Sequence, residues 1–331
     1  MENAEGQKDD AGTEPKPSRR RGSRLATARR TLLGLVAGYV VIVALAAGLQ
    51  RKLMYPGGGY EDEMSVAAYA DAVPHAEDVI VTTADGLTLH GWHVFADDAM
   101  TPGDRPTVLF FHGNGGHRAH RAWVYRLWTE LGCDVIAFDY RGYGENEGGP
   151  SETGLLEDAR SMWRYATETA GLIPERIVLY GASLGGGAAI GLAHDLASDA
   201  DAGNFPRGLV VRSTFSSMVD AAANQYPFLP VRWVLLDRYE SAEKIASVEC
   251  PVLMFHGDRD TSVPLKLGQK LFDAAPETSR TGVPKRFELI ERAGHNDLLQ
   301  VAGDRFTDTV RSWLDEIETR QSARPPSSSA I

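Results

Sequence analysis

The stretch that decides the fold runs from Arg176 to Ala188 and reads Arg-Ile-Val-Leu-Tyr-Gly-Ala-Ser-Leu-Gly-Gly-Gly-Ala. Its first half is a short apolar run typical of a buried strand, and the alanine-rich run that follows indicates a helix. Ser183 stands at the turn between them, in the pattern Gly-x-Ser-x-Gly. Glycines on both sides let the chain turn sharply. A serine presented in this way is a candidate nucleophile. A glycine-rich phosphate loop is the competing interpretation, but it would require a lysine that does not follow here.

Strand-like and helix-like segments alternate on both sides of this stretch, from residue 78 to residue 318. The predicted strands are 78–82, 87–94, 107–111, 134–138, 176–180, 208–212, 251–255 and 286–290. Longer helices are predicted over 118–131, 153–170 and 303–318. Such alternation predicts an α/β fold with a mainly parallel sheet and right-handed crossovers. Ligand sites on these sheets lie beyond the carboxyl ends of the strands, so the residues after each strand are the candidates for function.

A serine hydroxyl is a poor nucleophile unless a nearby base removes its proton. His295, in the segment Ala-Gly-His-Asn-Asp, follows the last predicted strand and is the candidate base. An acid that orients this histidine is expected after the preceding strand, where Asp258 and Asp260 both occur. The chain order serine, acid, histidine agrees with this arrangement.

The loop His-Gly-Asn-Gly-Gly over 112–116 follows the third predicted strand. Backbone N–H groups in such a loop are expected to bind the negative oxygen of an acyl-transfer intermediate. The predicted donors are the amides of Asn114 and Leu184. A glycine-rich connection without a function is the competing interpretation.

An apolar run of 18 residues without a charge, Leu32 to Leu49, precedes the predicted domain. As a helix it reaches about 27 Å, close to the hydrocarbon thickness of a bilayer at about 30 Å. Positive charges lie on both sides of it but are more numerous before it. Positions 16 to 30 hold Lys16, Arg19, Arg20, Arg21, Arg24, Arg29 and Arg30, whereas only Arg51 and Lys52 closely follow the run. The sequence therefore predicts a single transmembrane anchor with a cytosolic N-terminus and an exported catalytic domain.

Two other interpretations of this segment remain open. Ala44-Leu45-Ala46 has the form of a signal-peptidase site, which would release a soluble exported protein. Arg29-Arg30 also has the form of a twin-arginine export signal. Around the anchor we predict a disordered basic tail over 1–31, a linker over 50–77 and a disordered C-terminal tail over 319–331.

Composition excludes some classes of protein. The net charge of −11 argues against a nucleic-acid-binding protein, which would need a basic face for phosphates. The two cysteines, Cys133 and Cys250, form no pattern with metal-ligand spacing, so no metal site is expected. We expect both to be buried as small apolar residues, with a disulfide as the alternative.

Taken together, the ordered motifs resemble the α/β-hydrolase superfamily, and most closely its single-pass, membrane-anchored abhydrolase-domain branch. The resemblance extends from about Leu53 to Leu314. The segments that carry it are Arg51–Pro56, Ala84–Leu87, Gly91-Trp92, Phe111–Asn114, Asp139–Gly144, Gly181–Gly185, His256–Asp260 and Gly294-His295.

The resemblance implies an eight-stranded sheet whose second strand is antiparallel, and it places the acid on Asp260. It also implies a serine hydrolase for an ester or thioester, including lipid acyl esters, that uses no metal or organic cofactor. The two cysteines would then precede strands that are not neighbours and would form no disulfide. One segment, Arg212–Ser217, lacks the acidic residue that is usual in this branch.

A short cap over about 216–250 leaves room for two or three helices, and Phe215, Phe228 and Trp233 are predicted to line an acyl pocket. Packing within the cap is the competing interpretation for these aromatic side chains. Two other functions remain open. One is a peptidase or amidase with the same residues, and the other is a non-catalytic, membrane-tethered binding protein.

Overall fold

The computed structural model describes residues 19–57, 64–96, 105–198 and 205–323, without the side chains of residues 19–23. The chain divides into two compact units, Met1–Gly48 and Leu49–Ile331. The parts of the predicted tails at 1–18 and 324–331 lie outside the described residues.

The first helix, α1 (Arg19–Met54), contains the predicted apolar span. From Arg24 to Met54 it is long and apolar enough to cross a membrane, and its apolar window is not buried in the protein. The helix begins inside the tail predicted to be disordered, because the arginine, leucine and alanine residues there favour helix and extend it. It also includes the first residues of the predicted linker.

The rest of the predicted linker is part of the folded unit, which corrects the predicted boundary at residue 78. The side chains of Tyr55, Met64 and Val73 are buried. The Trp92 indole N–H donates to the Met64 carbonyl oxygen at 3.0 Å. These contacts join residues far apart in sequence, and so no periodic pattern revealed them.

Within the described residues, eight strands form one sheet in the order β1-β2-β4-β3-β5-β6-β7-β8. The strands are β1 (Ala76–Thr82), β2 (Thr88–Val94), β3 (Thr107–Phe111), β4 (Asp134–Phe138), β5 (Ile177–Ala182), β6 (Gly208–Arg212), β7 (Val252–Gly257) and β8 (Arg286–Ile290). β2 runs antiparallel to both of its neighbours, and the pairs from β4 to β8 are parallel. The predicted strand number and the antiparallel second strand are therefore confirmed.

Helices cover both faces of the sheet. They are α2 (Ala122–Thr129), α3 (Glu152–Arg164), α4 (Leu184–Ser198), α5 (Met218–Gln225), α6 (Val231–Val234), α7 (Ser241–Ile245), α8 (Leu265–Ala274), α9 (Leu298–Ala302) and α10 (Asp304–Ser322). One core holds side chains of α3, α4, α7 and α8, and the other holds those of α2, α9 and α10. Alternate residues of β3, such as Leu109 and Phe110, enter opposite cores, as the two-residue period of a strand requires.

Three short helices, α5, α6 and α7, lie in the segment that follows β6, where the cap is predicted. The helix α10 ends at Ser322, a few residues beyond its predicted end. Cys133 and Cys250 are free and buried. They precede β4 and β7, which are not neighbours in the sheet, so the expectation of two buried thiols without a disulfide is confirmed.

Candidate active site

The chain turns from strand to helix within one residue at Ser183. β5 ends at Ala182 and α4 begins at Leu184, and Ser183 has a φ of 53°, which is strained for a residue other than glycine. The flanking glycines permit this turn. A Cβ atom at Gly185 would lie 2.1 Å from the Phe111 carbonyl oxygen, and one at Gly181 would lie 2.5 Å from the Gly185 carbonyl oxygen. The backbone can therefore fold this tightly only without those side chains.

The structure brings Ser183, His295 and Asp260 together in a chain of two hydrogen bonds. His295 Nε2 lies 3.0 Å from Ser183 Oγ, and His295 Nδ1 lies 2.7 Å from Asp260 Oδ2. The three residues follow β5, β7 and β8, whose carboxyl ends meet at the same edge of the sheet. In the tautomer that donates from Nδ1 to Asp260, Nε2 presents a lone pair to the serine hydroxyl.

The two candidate acids are in different positions. Asp260 is buried, and its Oδ1 accepts hydrogen bonds from the backbone N–H groups of Ser262 at 2.9 Å and Val263 at 2.8 Å. These bonds hold the carboxylate so that its other oxygen faces His295. Asp258 instead accepts a bond from the Arg292 N–H at 2.6 Å and lies in the turn after β7. Only Asp260 of the two is hydrogen-bonded to the imidazole among the described contacts.

The loop after β3 lies beside Ser183. A Cβ atom at Gly113 would be 3.6 Å from the Ser183 Cβ. Both polar atoms of the Asn114 side chain are hydrogen-bonded. The Tyr143 hydroxyl donates to its Oδ1 at 2.6 Å, and its Nδ2 donates to the Met54 carbonyl oxygen. Leu184 is the first residue of α4, where a helix leaves its backbone N–H without an intrahelical acceptor.

A buried ion pair between Arg118 and Asp139 lies next to the loop over 112–116. The guanidinium of Arg118 donates to Asp139 Oδ2 at 2.6 Å, and the backbone N–H of Arg118 donates to Oδ1 at 2.7 Å. His112 Nε2 lies 3.4 Å from the same carboxylate. Burial raises the pKa of Asp139, and Arg118 opposes that rise. Burial also lowers the pKa of His112 to about 3, so the imidazole is neutral at pH 7.

The sequence interpretation did not identify this pair, nor the role of Tyr143 in holding Asn114. Asp139 and Tyr143 do lie in Asp139–Gly144, one of the segments that carry the family resemblance, and this could have marked them as residues near the site. Arg118 had no such signal, because its position in a predicted helix gave it no distinguishing pattern.

The three aromatic residues predicted to line an acyl pocket have different surroundings. Phe215 is buried in the core, with its ring centroid 6.2 Å from that of Tyr239. Phe228 is 63% exposed and Trp233 is 90% exposed. Because most of each of these two side chains faces away from protein, neither forms the wall of an enclosed pocket here. Packing in the core explains the position of Phe215, whereas Phe228 and Trp233 lie at the protein surface.

No group of three or more His, Cys, Asp or Glu side chains that could hold a metal ion is found in the described part of the chain.

Solved structures define the class of the fold. An α/β hydrolase from Vibrio vulnificus matches with a TM-score of 0.65 at 22% identity, covering 80% of this chain and 92% of that one. The Pyrococcus furiosus esterase Pf2001 matches with a TM-score of 0.55 at 20% identity, covering 75% and 93% of the two chains. At such identities the likeness concerns the fold alone, and the fold is that of an α/β hydrolase.

Proteins related in sequence identify the branch of this fold class to which the chain belongs. The family described as serine aminopeptidase, S33, matches residues 102–227. The lysophosphatidylserine lipase ABHD12 of Danio rerio is 30% identical over 298 residues, which are 78% of this chain and 75% of that protein. The uncharacterized protein MT2364 of Mycobacterium tuberculosis is 39% identical over 286 residues, which are 84% of this chain and 94% of that one. The chain belongs to the abhydrolase-domain branch of the α/β-hydrolase superfamily, which confirms the resemblance found in the sequence.

Proposed function

We propose that this protein is a serine hydrolase that cleaves a carboxylic ester or thioester, with lipid acyl esters as the substrate class. The observation that carries the proposal is the position of His295, whose two ring nitrogens lie within hydrogen-bonding distance of Ser183 Oγ and Asp260 Oδ2. Here the serine contacts the base, and the base contacts the acid. This arrangement activates a serine hydroxyl for acyl transfer.

In the proposed reaction, Ser183 Oγ attacks the carbonyl carbon while neutral His295 accepts the hydroxyl proton at Nε2. Asp260 keeps the imidazole in the required tautomer and stabilises the imidazolium ion. The amides of Asn114 and Leu184 donate to the oxyanion of the tetrahedral intermediate. His295 then gives its proton to the departing alcohol or thiol. A water molecule hydrolyses the acyl-enzyme by the same route, and Ser183 regains its proton.

The choice of an ester rests on the relatives. ABHD12 of Danio rerio is named as a lysophosphatidylserine lipase, which supports a lipid ester. The family description, serine aminopeptidase, supports an amide bond as the second candidate, since the same groups serve any acyl transfer. Direct competition between ester, thioester and peptide substrates separates the two.

We also propose that the apolar part of α1 anchors the protein in a membrane, with the N-terminus in the cytosol and the catalytic unit on the exported side. The length and composition of the helix support a span, and the excess of basic residues before it supports this orientation. A cleaved export signal, which would leave a secreted enzyme, is the alternative.

Activity-based labelling tests the catalytic proposal. We expect a fluorophosphonate probe to modify the full-length protein at Ser183, because only an activated serine reacts with it rapidly. The matched control is Ser198→Ala, a change at the other end of α4 that should leave labelling intact, whereas Ser183→Ala should abolish it. Failure of the folded protein to label would favour the non-catalytic binding protein.

Membrane fractionation with N-terminal sequencing tests the anchor. We expect the full-length chain in the membrane fraction, resistant to carbonate extraction, since the exposed apolar side chains of this helix become buried when it spans a bilayer. Recovery of a soluble protein that begins near Ala47 would show instead that the segment is a cleaved signal.

A further inference from the structure

Large apolar side chains project from the cap. Trp233 is 90% exposed, Leu236 is 65% exposed and Phe228 is 63% exposed. All three lie in or beside the short helix α6. Leu53, near the end of α1, is also 66% exposed. We call these four residues the apolar cap surface. Trp233 and Leu236 are three residues apart, and exposed apolar side chains that lie close together mark a surface that binds something apolar.

The end of α1 is fastened to this part of the cap. Gln50 Nε2 donates to the Val234 carbonyl oxygen at 3.1 Å, and Gln50 Oε1 accepts from the Leu236 N–H at 2.8 Å. Arg51 donates two hydrogen bonds to Asp237, at 3.0 and 3.1 Å. Residues 234–237 are therefore held directly against residues 50 and 51. Leu53 is one helical turn beyond Gln50 and so lies on the same side of the helix.

This contact lies directly after the proposed membrane span. Gln50 directly follows Leu49, the last residue of the uncharged span. If that span crosses a bilayer, the next residues lie among the lipid headgroups. The backbone atoms of Val234 and Leu236 that are bonded to Gln50 must then lie at the same depth. Tryptophan is the residue most favoured there, because its ring is apolar and its N–H can reach water.

Charges around the surface agree with this location. Lys52 is exposed, and the Arg232 side chain next to Trp233 is 69% exposed although it pairs with Asp220 at 3.4 Å. Long basic side chains at a bilayer surface direct their charges to lipid phosphates while their methylene groups stay in contact with apolar surface.

We propose that the apolar cap surface docks on the bilayer from which the anchor emerges, with Trp233 and Leu236 inserted among the headgroups. The location of this surface rests on the membrane anchoring proposed above and not on the role of Ser183, whereas its effect on catalysis rests on the proposed hydrolase function as well. The cap follows β6 and Ser183 follows β5, and these strands are parallel neighbours. The cap and Ser183 thus lie at the same edge of the sheet, which is the side from which an acyl substrate held in the bilayer would approach.

Site-directed fluorescence tests the location of the surface. Leu236→Cys is made in the full-length protein, labelled with a fluorophore sensitive to its environment, and reconstituted into lipid nanodiscs. Cys133 and Cys250 are buried and should not react. We expect strong quenching of the fluorophore by lipids that carry a nitroxide near the head of the acyl chain. The matched control is Ile173→Cys, which is equally a large exposed apolar position (51%).

Ile173 precedes β5 and so lies at the opposite edge of the sheet, where no quenching is expected. Equal quenching at both positions, or none at residue 236, would overturn the proposal. A blue-shifted emission at residue 236 without quenching would also overturn it, because the surface would then be covered by protein, such as a second copy of this chain.

A kinetic measurement adds a second, independent readout. The double change Trp233→Ser and Leu236→Ser should lower kcat/KM for an ester embedded in vesicles by about tenfold, since it removes two apolar side chains from the bilayer contact. The same variant should hydrolyse a short water-soluble ester at the wild-type rate. An equal loss on both substrates would mean that these residues act on the catalytic groups and would contradict the proposal.

Discussion

Ser183→Ala is expected to lower kcat for ester hydrolysis by about 10⁶-fold, the loss typical of removing the nucleophile from a Ser/His/Asp enzyme. The substitution removes the oxygen that forms the acyl bond, and it leaves His295 Nε2, 3.0 Å away, with no hydroxyl proton to accept. Alanine adopts a φ near 53° at about the same cost as serine, so the turn between β5 and α4 should keep its shape. The measurement is the rate with a saturating p-nitrophenyl ester, corrected for spontaneous hydrolysis.

Ser213→Ala is the matched control for that experiment. Ser213 is buried, and like Ser183 it follows a strand of the sheet and has a positive φ, of 50°. The same chemical change in the same kind of backbone therefore tests whether the loss is specific to the hydroxyl of Ser183. We expect the Ser213 variant to hydrolyse the ester at close to the wild-type rate. Substantial activity in the Ser183 variant would show that another group is the nucleophile.

The sheet could be predicted closely because its strands are short apolar runs between turn residues. The strand Thr107–Phe111, for example, is buried along its whole length and has the predicted bounds. The segment before the sheet could not be predicted in the same way. Tyr55 is buried through contacts with the cap, its hydroxyl lying 3.0 Å from that of Tyr239. Such contacts between distant residues leave no periodic pattern in either segment.

The site was predictable to the extent that each residue follows a strand. Strand ends in a parallel sheet meet at one edge, so chain order was enough to expect Ser183, His295 and an acid after β7 together. The choice of Asp260 over Asp258 came from the family resemblance. The supporting groups and the surface residues were not predictable. Hydrophobicity alone does not tell whether Trp233 lines a pocket or faces solvent, because both positions favour the same residue type. The 90% exposure of Trp233 is a property of the folded chain, and it is the observation on which the proposed membrane contact rests.

Asp260→Asn is expected to lower kcat by about 10⁴-fold, and the hydrogen bonds around the carboxylate explain why. Oδ1 accepts from two backbone N–H groups, of Ser262 and Val263. The oxygen of the new amide should keep that position, because an NH₂ group there would face two donors. The NH₂ group must then point to His295 Nδ1, which can only accept. The imidazole proton moves to Nε2, and His295 can no longer take the proton of Ser183.

Asp258→Asn separates this effect from a general loss of negative charge after β7. Asp258 is only two residues away, but it accepts its bond from the Arg292 N–H, and an amide oxygen can do the same. This variant should keep nearly wild-type kcat, while both variants lose the same charge. Steady-state rates over a range of pH give the comparison. A larger loss of kcat in the Asp258 variant would show that Asp258, and not Asp260, orients His295. Replacing the carboxylate that contacts Nδ1 must have the larger effect on kcat, because that contact sets the tautomer of the imidazole.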